Sequence, residues 1–222
     1  MNRTIGLEEY QALVAGARVL EAQSFGVKVW ELPDGRIVKL FRTKRLITSA
    51  RLRPYSSRFA RNARALRRRG FRTPEVLDTF HCPAIARHGV VYRKLPGTPM
   101  ARLLEREQPP ELVARLAAFL VKLHEKGVYF RSVHPGNVLL DEAGDFGLID
   151  LQDVRLWPWP LGPAARVRNF RHLFHSNPQS HGLRAFGYEP FVGLYLEALP
   201  RSGSYRRRLA RRLLAQERPW EA

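Results

Sequence analysis

Asn137 and Asp150 are the two residues whose types and spacing carry a definite chemistry. Asn137 closes a polar loop, Asp150 follows a short apolar run, and 13 positions separate them. Between them the apolar runs Val138-Leu139-Leu140 and 146–149 flank the turn formers Asp141-Glu142-Ala143-Gly144-Asp145, a pattern that predicts a β-hairpin. Such a hairpin brings two oxygen-bearing side chains near the same end of a small sheet. Ligands of that kind hold a hard cation such as Mg²⁺ beside phosphates.

Other elements must position that pair. Residues 111–126 form the clearest helical pattern: Leu112, Leu116, Ala117, Phe119, Leu120 and Leu123 share a face, and Pro109-Pro110 open it. This helix delivers the chain through Gly127 to the loop, and His124 near its end reads as a packed or capping residue. Upstream, residues 7–17 predict a short helix and residues 17–32 a strand pair around Ser24-Phe25-Gly26. Pro33-Asp34-Gly35 makes a turn, and residues 36–41 a strand in which alternation sets Lys39 on the face opposite Val38 and Leu40. A helix follows Pro54, with Phe59, Ala63 and Leu66 at spacings of four and three. Residues 74–80 and 88–95 add two strands, which makes five. Leu95-Pro96-Gly97-Thr98-Pro99 then breaks the pattern and divides the chain into 1–95 and 96–222.

His134-Pro135-Gly136-Asn137 followed by Leu148-Ile149-Asp150 resembles the H-P-G-N and I-D pair of small kinase-like phosphotransferases. More narrowly, Phe130-Arg131-Ser132-Val133-His134 resembles the lipopolysaccharide core sugar kinases of Gram-negative bacteria, a family that includes proteins labelled toluene-tolerance proteins. The resemblance implies an α+β, bilobal protein-kinase-like fold: a five-stranded N-lobe over 1–95 and a reduced helical C-lobe over 96–222, with residues 95–99 as the hinge. It implies ATP and Mg²⁺ as cofactors, with Asn137 and Asp150 as metal ligands and Lys39 as the strand lysine that contacts the α- and β-phosphates. Gly26 is what remains of a glycine-rich loop, because Glu21 and Gln23 stand where earlier glycines would fall. The kinase helix glutamate that pairs with the strand lysine aligns with Asn62, so Glu21 is the remaining candidate partner for Lys39.

Ser132 is the departure from this pattern. Five residues before Asn137 the family places its catalytic aspartate, and a serine cannot accept a proton at neutral pH as a carboxylate does. Asp153 or His134 could supply the base, although the imidazole of H-P-G-N more often braces the loop. Two functions are therefore expected: a kinase acting on a lipopolysaccharide core sugar hydroxyl, or a pseudokinase serving as a nucleotide-binding or membrane-surface scaffold in envelope biogenesis. A small-molecule or antibiotic kinase is a third reading, for which the chain lacks the acidic character expected of a site for cationic drugs.

Composition bounds the partners. Thirty-eight Lys and Arg against 20 Asp and Glu leave a formal charge of +18, which suits a polyanion such as a phosphorylated sugar or an anionic glycolipid. Arg58, Arg61, Arg64 and Arg68 fall on one helical face. Arg206, Arg207, Arg208, Arg211 and Arg212 crowd the last predicted helix, a second candidate for contact with the inner membrane surface. The arginines that open the helix at 166–171 offer bidentate donors for phosphate. No nucleic-acid-binding motif accompanies the charge. With a single cysteine, Cys82, no internal disulfide can form, and no run approaches the ~20 apolar residues of a membrane span. A cytoplasmic protein, peripheral on the inner membrane at most, is expected.

Overall fold

The computed structural model describes residues 3–24, 26–42, 54–175 and 177–216. Two compact units emerge, one of residues 1–95 with 150–152 and the other of residues 96–149 with 153–222. The α+β fold expected from the sequence is present, with a sheet-rich N-terminal unit and a mainly helical C-terminal one.

In the N-terminal unit the sheet runs β1 (Arg3–Thr4), β5 (Glu75–Cys82), β6 (Arg87–Arg93), β4 (Arg36–Arg42), β3 (Gly26–Glu31), β2 (Arg18–Gln23). Five strands pair antiparallel, as the turn signals between them require. A sixth, β1, adds a two-residue parallel edge on β5 that no periodicity announces. Strand β4 lies between β6 and β3, and alternation divides its side chains between the two faces. Val38 and Leu40 join Ile5, Leu32, Phe80 and Val91 in a core, closed by Tyr10 and Leu13 of helix α1 (Leu7–Leu13). On the opposite face lies helix α2 (Tyr55–Arg68), which buries Phe59, Ala63 and Leu66; Phe59 stacks on Tyr92 with ring centroids 5.3 Å apart. Lys39 is thus no solvent-facing lysine: only 7% of it is exposed. The first part of the basic stretch before Pro54 lies outside the described residues.

The C-terminal unit is built on helix α4 (Pro110–Glu125), whose buried residues include Val113, Leu116, Ala117, Leu120, Val121 and Leu123. It is preceded by β7 (Thr98–Pro99) and the short helix α3 (Met100–Leu103). Gly127, at φ +68, turns the chain out of α4; a side chain there would meet the Trp157 carbonyl at 2.3 Å. Strand β8 (Val128–Phe130) follows, then the loop, then the expected hairpin, β9 (Val138–Leu140) and β10 (Phe146–Leu148), with Leu140 opposite Phe146. Strand β11 (Val154–Leu156) returns antiparallel to β8. Helices α5 (Pro163–Phe174), α6 (His181–Phe186), α7 (Tyr188–Ala198) and α8 (Gly203–Leu214) complete the unit. Among the described residues no helix is long and apolar enough to cross a membrane.

A buried polar chain ties these helices to the entrance of the loop. Asn169 on α5 donates its Nδ2 to the Phe130 carbonyl (2.7 Å), so its Oδ1 must accept from His124 Nε2 (3.0 Å). His124 Nδ1 is then the acceptor for the Tyr195 hydroxyl (2.7 Å), which in turn accepts from Arg166 Nη1 (2.6 Å). Burial, and next the charge of Arg166, depress His124 to about 3. The unfolded imidazole titrates near 6.5 and therefore binds more protons than the folded one between those values. Stability is full above pH ~6.5 and falls as pH drops through the window, by about 1.4 kcal/mol per unit for this one proton. Denaturant titrations from pH 7.5 to 5 are expected to show that slope, reduced by about one proton in His124→Gln.

Candidate active site

Within the N-terminal unit the structure brings Lys39 and Asp150 together. The Lys39 ammonium and the Asp150 carboxylate form a direct ion pair, with side chains 9% and 26% exposed. Asp150 is held in the left-handed region at φ 60, which among side-chain-bearing residues Asp and Asn tolerate best and which clusters at functional sites. Burial pushes its carboxyl upward, but the Lys39 charge and hydrogen bond, helped by Gln152 and Lys28, outweigh that and hold it below the usual range. It is an ionised, aimed acid at neutral pH.

Two expectations about Lys39 are corrected here. Glu21, offered as its partner, is taken by Lys28 (2.7 Å). Asn62, which stands in place of a helix glutamate, is 99% buried and donates Nδ2 to the Leu151 carbonyl (2.7 Å). The helix therefore holds the backbone just after Asp150 with a neutral amide, and Asp150 itself supplies the charge. Gly26 opens β3 at φ +106 and pairs with Gln23. That backbone conformation favours glycine.

In the C-terminal unit Ser132, His134 and Asn137 share one loop. Both amide protons of Asn137 are spent there: Nδ2 donates to the Ser132 carbonyl (2.9 Å) and lies 3.0 Å from His134 Nε2. The same nitrogen cannot accept, so His134 Nε2 is the acceptor and the proton sits on Nδ1. His134 thus braces Asn137 through its basic nitrogen, and that nitrogen is not available as a general base. What Asn137 retains is its amide oxygen. Asp153 is half-buried and stands one position before Val154, which pairs with Phe130 across β8 and β11. Phe130 in turn stands two residues before Ser132. Among the described residues no three or more His, Cys, Asp or Glu gather as a metal cluster. An amide oxygen, as on Asn137, and an ionised carboxylate, as on Asp150, are each oxygen ligands of the kind Mg²⁺ takes.

The arginines that open α5 do not form the phosphate clamp expected of them. Arg166 is wholly buried, donating Nε to the Leu161 carbonyl (2.8 Å), Nη1 to Tyr195 and Nη2 to Glu125. Arg171 donates to Gln216 (3.2 Å), and Arg168 alone of the three is exposed without such a bond. A sign of this lay under the basic composition: Arg166 falls at helical spacing with Asn169 and Phe170, on the face that packs.

Residues 19–127 match the profile of the phosphotransferase enzyme family, APH. A curated relative, the DNA damage-responsive serine/threonine-protein kinase RqkA of Deinococcus radiodurans, is 37% identical over 110 residues, which are 44% of this chain and 16% of that protein. Among solved structures, monomeric WbdD is 24% identical, with a TM-score of 0.45 over 77% of this chain and 43% of that one. The bifunctional kinase-methyltransferase WbdD gives a TM-score of 0.44 at 21% identity over 84% and 47%. The chain spans less than half the length of each of these proteins.

Proposed function

We propose that the chain is an ATP- and Mg²⁺-dependent phosphotransferase that phosphorylates a hydroxyl of a lipopolysaccharide core sugar. The observation that carries the reading is Asp150: ionised, held at positive φ, and paired with a buried strand lysine. Asn137 Oδ1 and Asp150 would hold the cation, which when bound neutralises charge on the transferring phosphoryl group. Lys39 would exchange its carboxylate for phosphate oxygens. The family match over residues 19–127 supports phosphoryl transfer, and the +18 charge suits an anionic glycolipid or phosphorylated sugar as acceptor. Exposed arginines on α2 (Arg61, Arg64, Arg67, Arg68) and on α8 (Arg207, Arg208, Arg211, Arg212) give each helix a cationic face for the inner membrane surface.

Phosphoryl transfer depends mainly on positioning and electrostatics, and a general base adds about 10²- to 10⁴-fold. With His134 committed to Asn137, Asp153 is the carboxylate left to accept the acceptor's proton in place of Ser132. A second reading, a pseudokinase scaffold that binds nucleotide without turnover, is favoured by Ser132 itself. The test is ADP release on addition of dephosphorylated core oligosaccharide. The enzyme reading expects wild-type turnover, a loss of about 10²-fold or more in Asp153→Asn, and recovery when Ser132→Asp is added. Nucleotide binding with no turnover in any of the three chains would establish the scaffold instead.

A further inference from the structure

Lys28, like Lys39 a lysine of the N-terminal unit, takes no part in the roles described above. Lys28 lies on β3, between β4 and β2, and its ammonium pairs with Glu21 on β2 at 2.7 Å. Glu21 is the cross-strand partner of Val29, and Val29 is the cross-strand partner of Lys39. Partners across a ladder project from the same face, so Glu21, Val29 and Lys39 form one row that spans two strand spacings, about 10 Å. The register shift between Glu21 and Ala22 leaves Lys28 out of the ladder, and its ammonium reaches Glu21 in that row, beside the Lys39–Asp150 pair. The charge of Lys28 reaches Asp150, where it helps to keep that carboxyl ionised.

From this arrangement we infer that Lys28 and Lys39 form a two-lysine polyphosphate clamp, with Glu21 as the latch that neutralises Lys28 until phosphate arrives. The inference rests on the nucleotide-binding reading above and adds the group that grips the phosphates. A glycine-rich loop covers phosphates with backbone amides. Here Glu21 and Gln23 take the positions of its earlier glycines, so the amides lack that freedom, and an ammonium on the adjoining strand supplies the donors instead. Lys28 is suited to this: its side chain is 30% exposed, against 9% for Lys39, and its carboxylate partner is on the surface at 44%. That ion pair is weak enough to open, because an exposed pair gains little from its own attraction. A polyphosphate of three or four negative charges competes with one carboxylate for the same ammonium.

The two halves of the latch predict effects of opposite sign, which a merely structural ion pair would not produce. Binding of ATP, tripolyphosphate and adenosine is measured by calorimetry on the full chain without metal, with circular dichroism to verify folding. Lys28→Ala is expected to weaken ATP and tripolyphosphate by about 10- to 100-fold, the value of a charge-assisted hydrogen bond, and to leave adenosine unchanged. Lys28→Arg restores most of the loss. Glu21→Gln, which frees Lys28, is expected to tighten both phosphate ligands severalfold. If wild type binds ATP and Lys28→Ala binds it equally well, the clamp is wrong while nucleotide binding stands. Weakening of ATP by both Lys28→Ala and Glu21→Gln would reduce the pair to a structural brace. Absence of ATP binding by wild type overturns the clamp together with the function it serves.

Discussion

Asp150→Ala is expected to lower Mg²⁺-dependent ADP release by at least about 10³-fold, the several kcal/mol of charge stabilisation that a positioned metal ligand contributes. The same substitution should remove the sensitivity to EDTA of any thermal stabilisation by ATP. Asp150 has a second role that complicates a single substitution: it is the charge partner of Lys39, whose side chain is only 9% exposed. Removing one member of such a pair leaves the other uncompensated in a poorly solvated place, which is more costly than removing both. Asp150→Ala is thus expected to lower the melting temperature of the chain, and Asp150→Ala with Lys39→Met to recover most of it. Turnover should not recover. A double variant as inactive as the single one and as stable as wild type separates chemistry from folding. A single variant with full turnover would remove Asp150 from the site altogether.

The elements that carry this site were legible because their signals are local. The β9–β10 hairpin is written in two apolar runs and a turn, α4 in the spacing of its leucines, and β4 in alternation around Lys39. Phe59, Ala63 and Leu66 marked the packed face of α2 for the same reason. What could not be read were partnerships set by distance in the chain. Lys39 and Asp150 are 111 positions apart, and nothing in either segment names the other. The bond from Asn62 to the Leu151 carbonyl is similar: the substitution for glutamate was visible, but an amide bound to backbone leaves no pattern in sequence. Lys28 is an intermediate case. With Gln23 opposite Gly26, simple counting along the hairpin sets Glu21 opposite Lys28, and an opposite-charge pair across a hairpin is a readable signal. The irregularity between Val19 and Ala22 shifts the ladder and brings Glu21 into the row of Lys39. The parallel edge strand β1, two residues long, is fixed by tertiary pairing alone.

Arg166→Ala is expected to be among the most destabilising single substitutions in the chain, by about 3–5 kcal/mol. Arginine at the start of α5, in a chain this basic, looks like one more surface charge, yet none of Arg166 is exposed. Its three donor nitrogens are satisfied at the Leu161 carbonyl, the Tyr195 hydroxyl and Glu125, so alanine leaves a buried carbonyl and a buried hydroxyl without donors and opens a cavity. Glu125 suffers less, since it is 21% exposed and keeps Arg201 at 2.6 Å. Glu125→Gln should accordingly cost markedly less than Arg166→Ala in denaturant midpoint. The effect should also reach the catalytic loop. Tyr195, freed of Arg166, no longer has a fixed acceptor geometry. The order then weakens through His124 and Asn169 to the Phe130 carbonyl, two residues before Ser132. At a temperature where both proteins remain folded, hydrogen exchange at residues 130–134 is expected to quicken in Arg166→Ala and to stay unchanged in Arg168→Ala, whose side chain is exposed. Equal stability of the two arginine variants would mean that the buried network is held by packing, and that the charge within it is incidental.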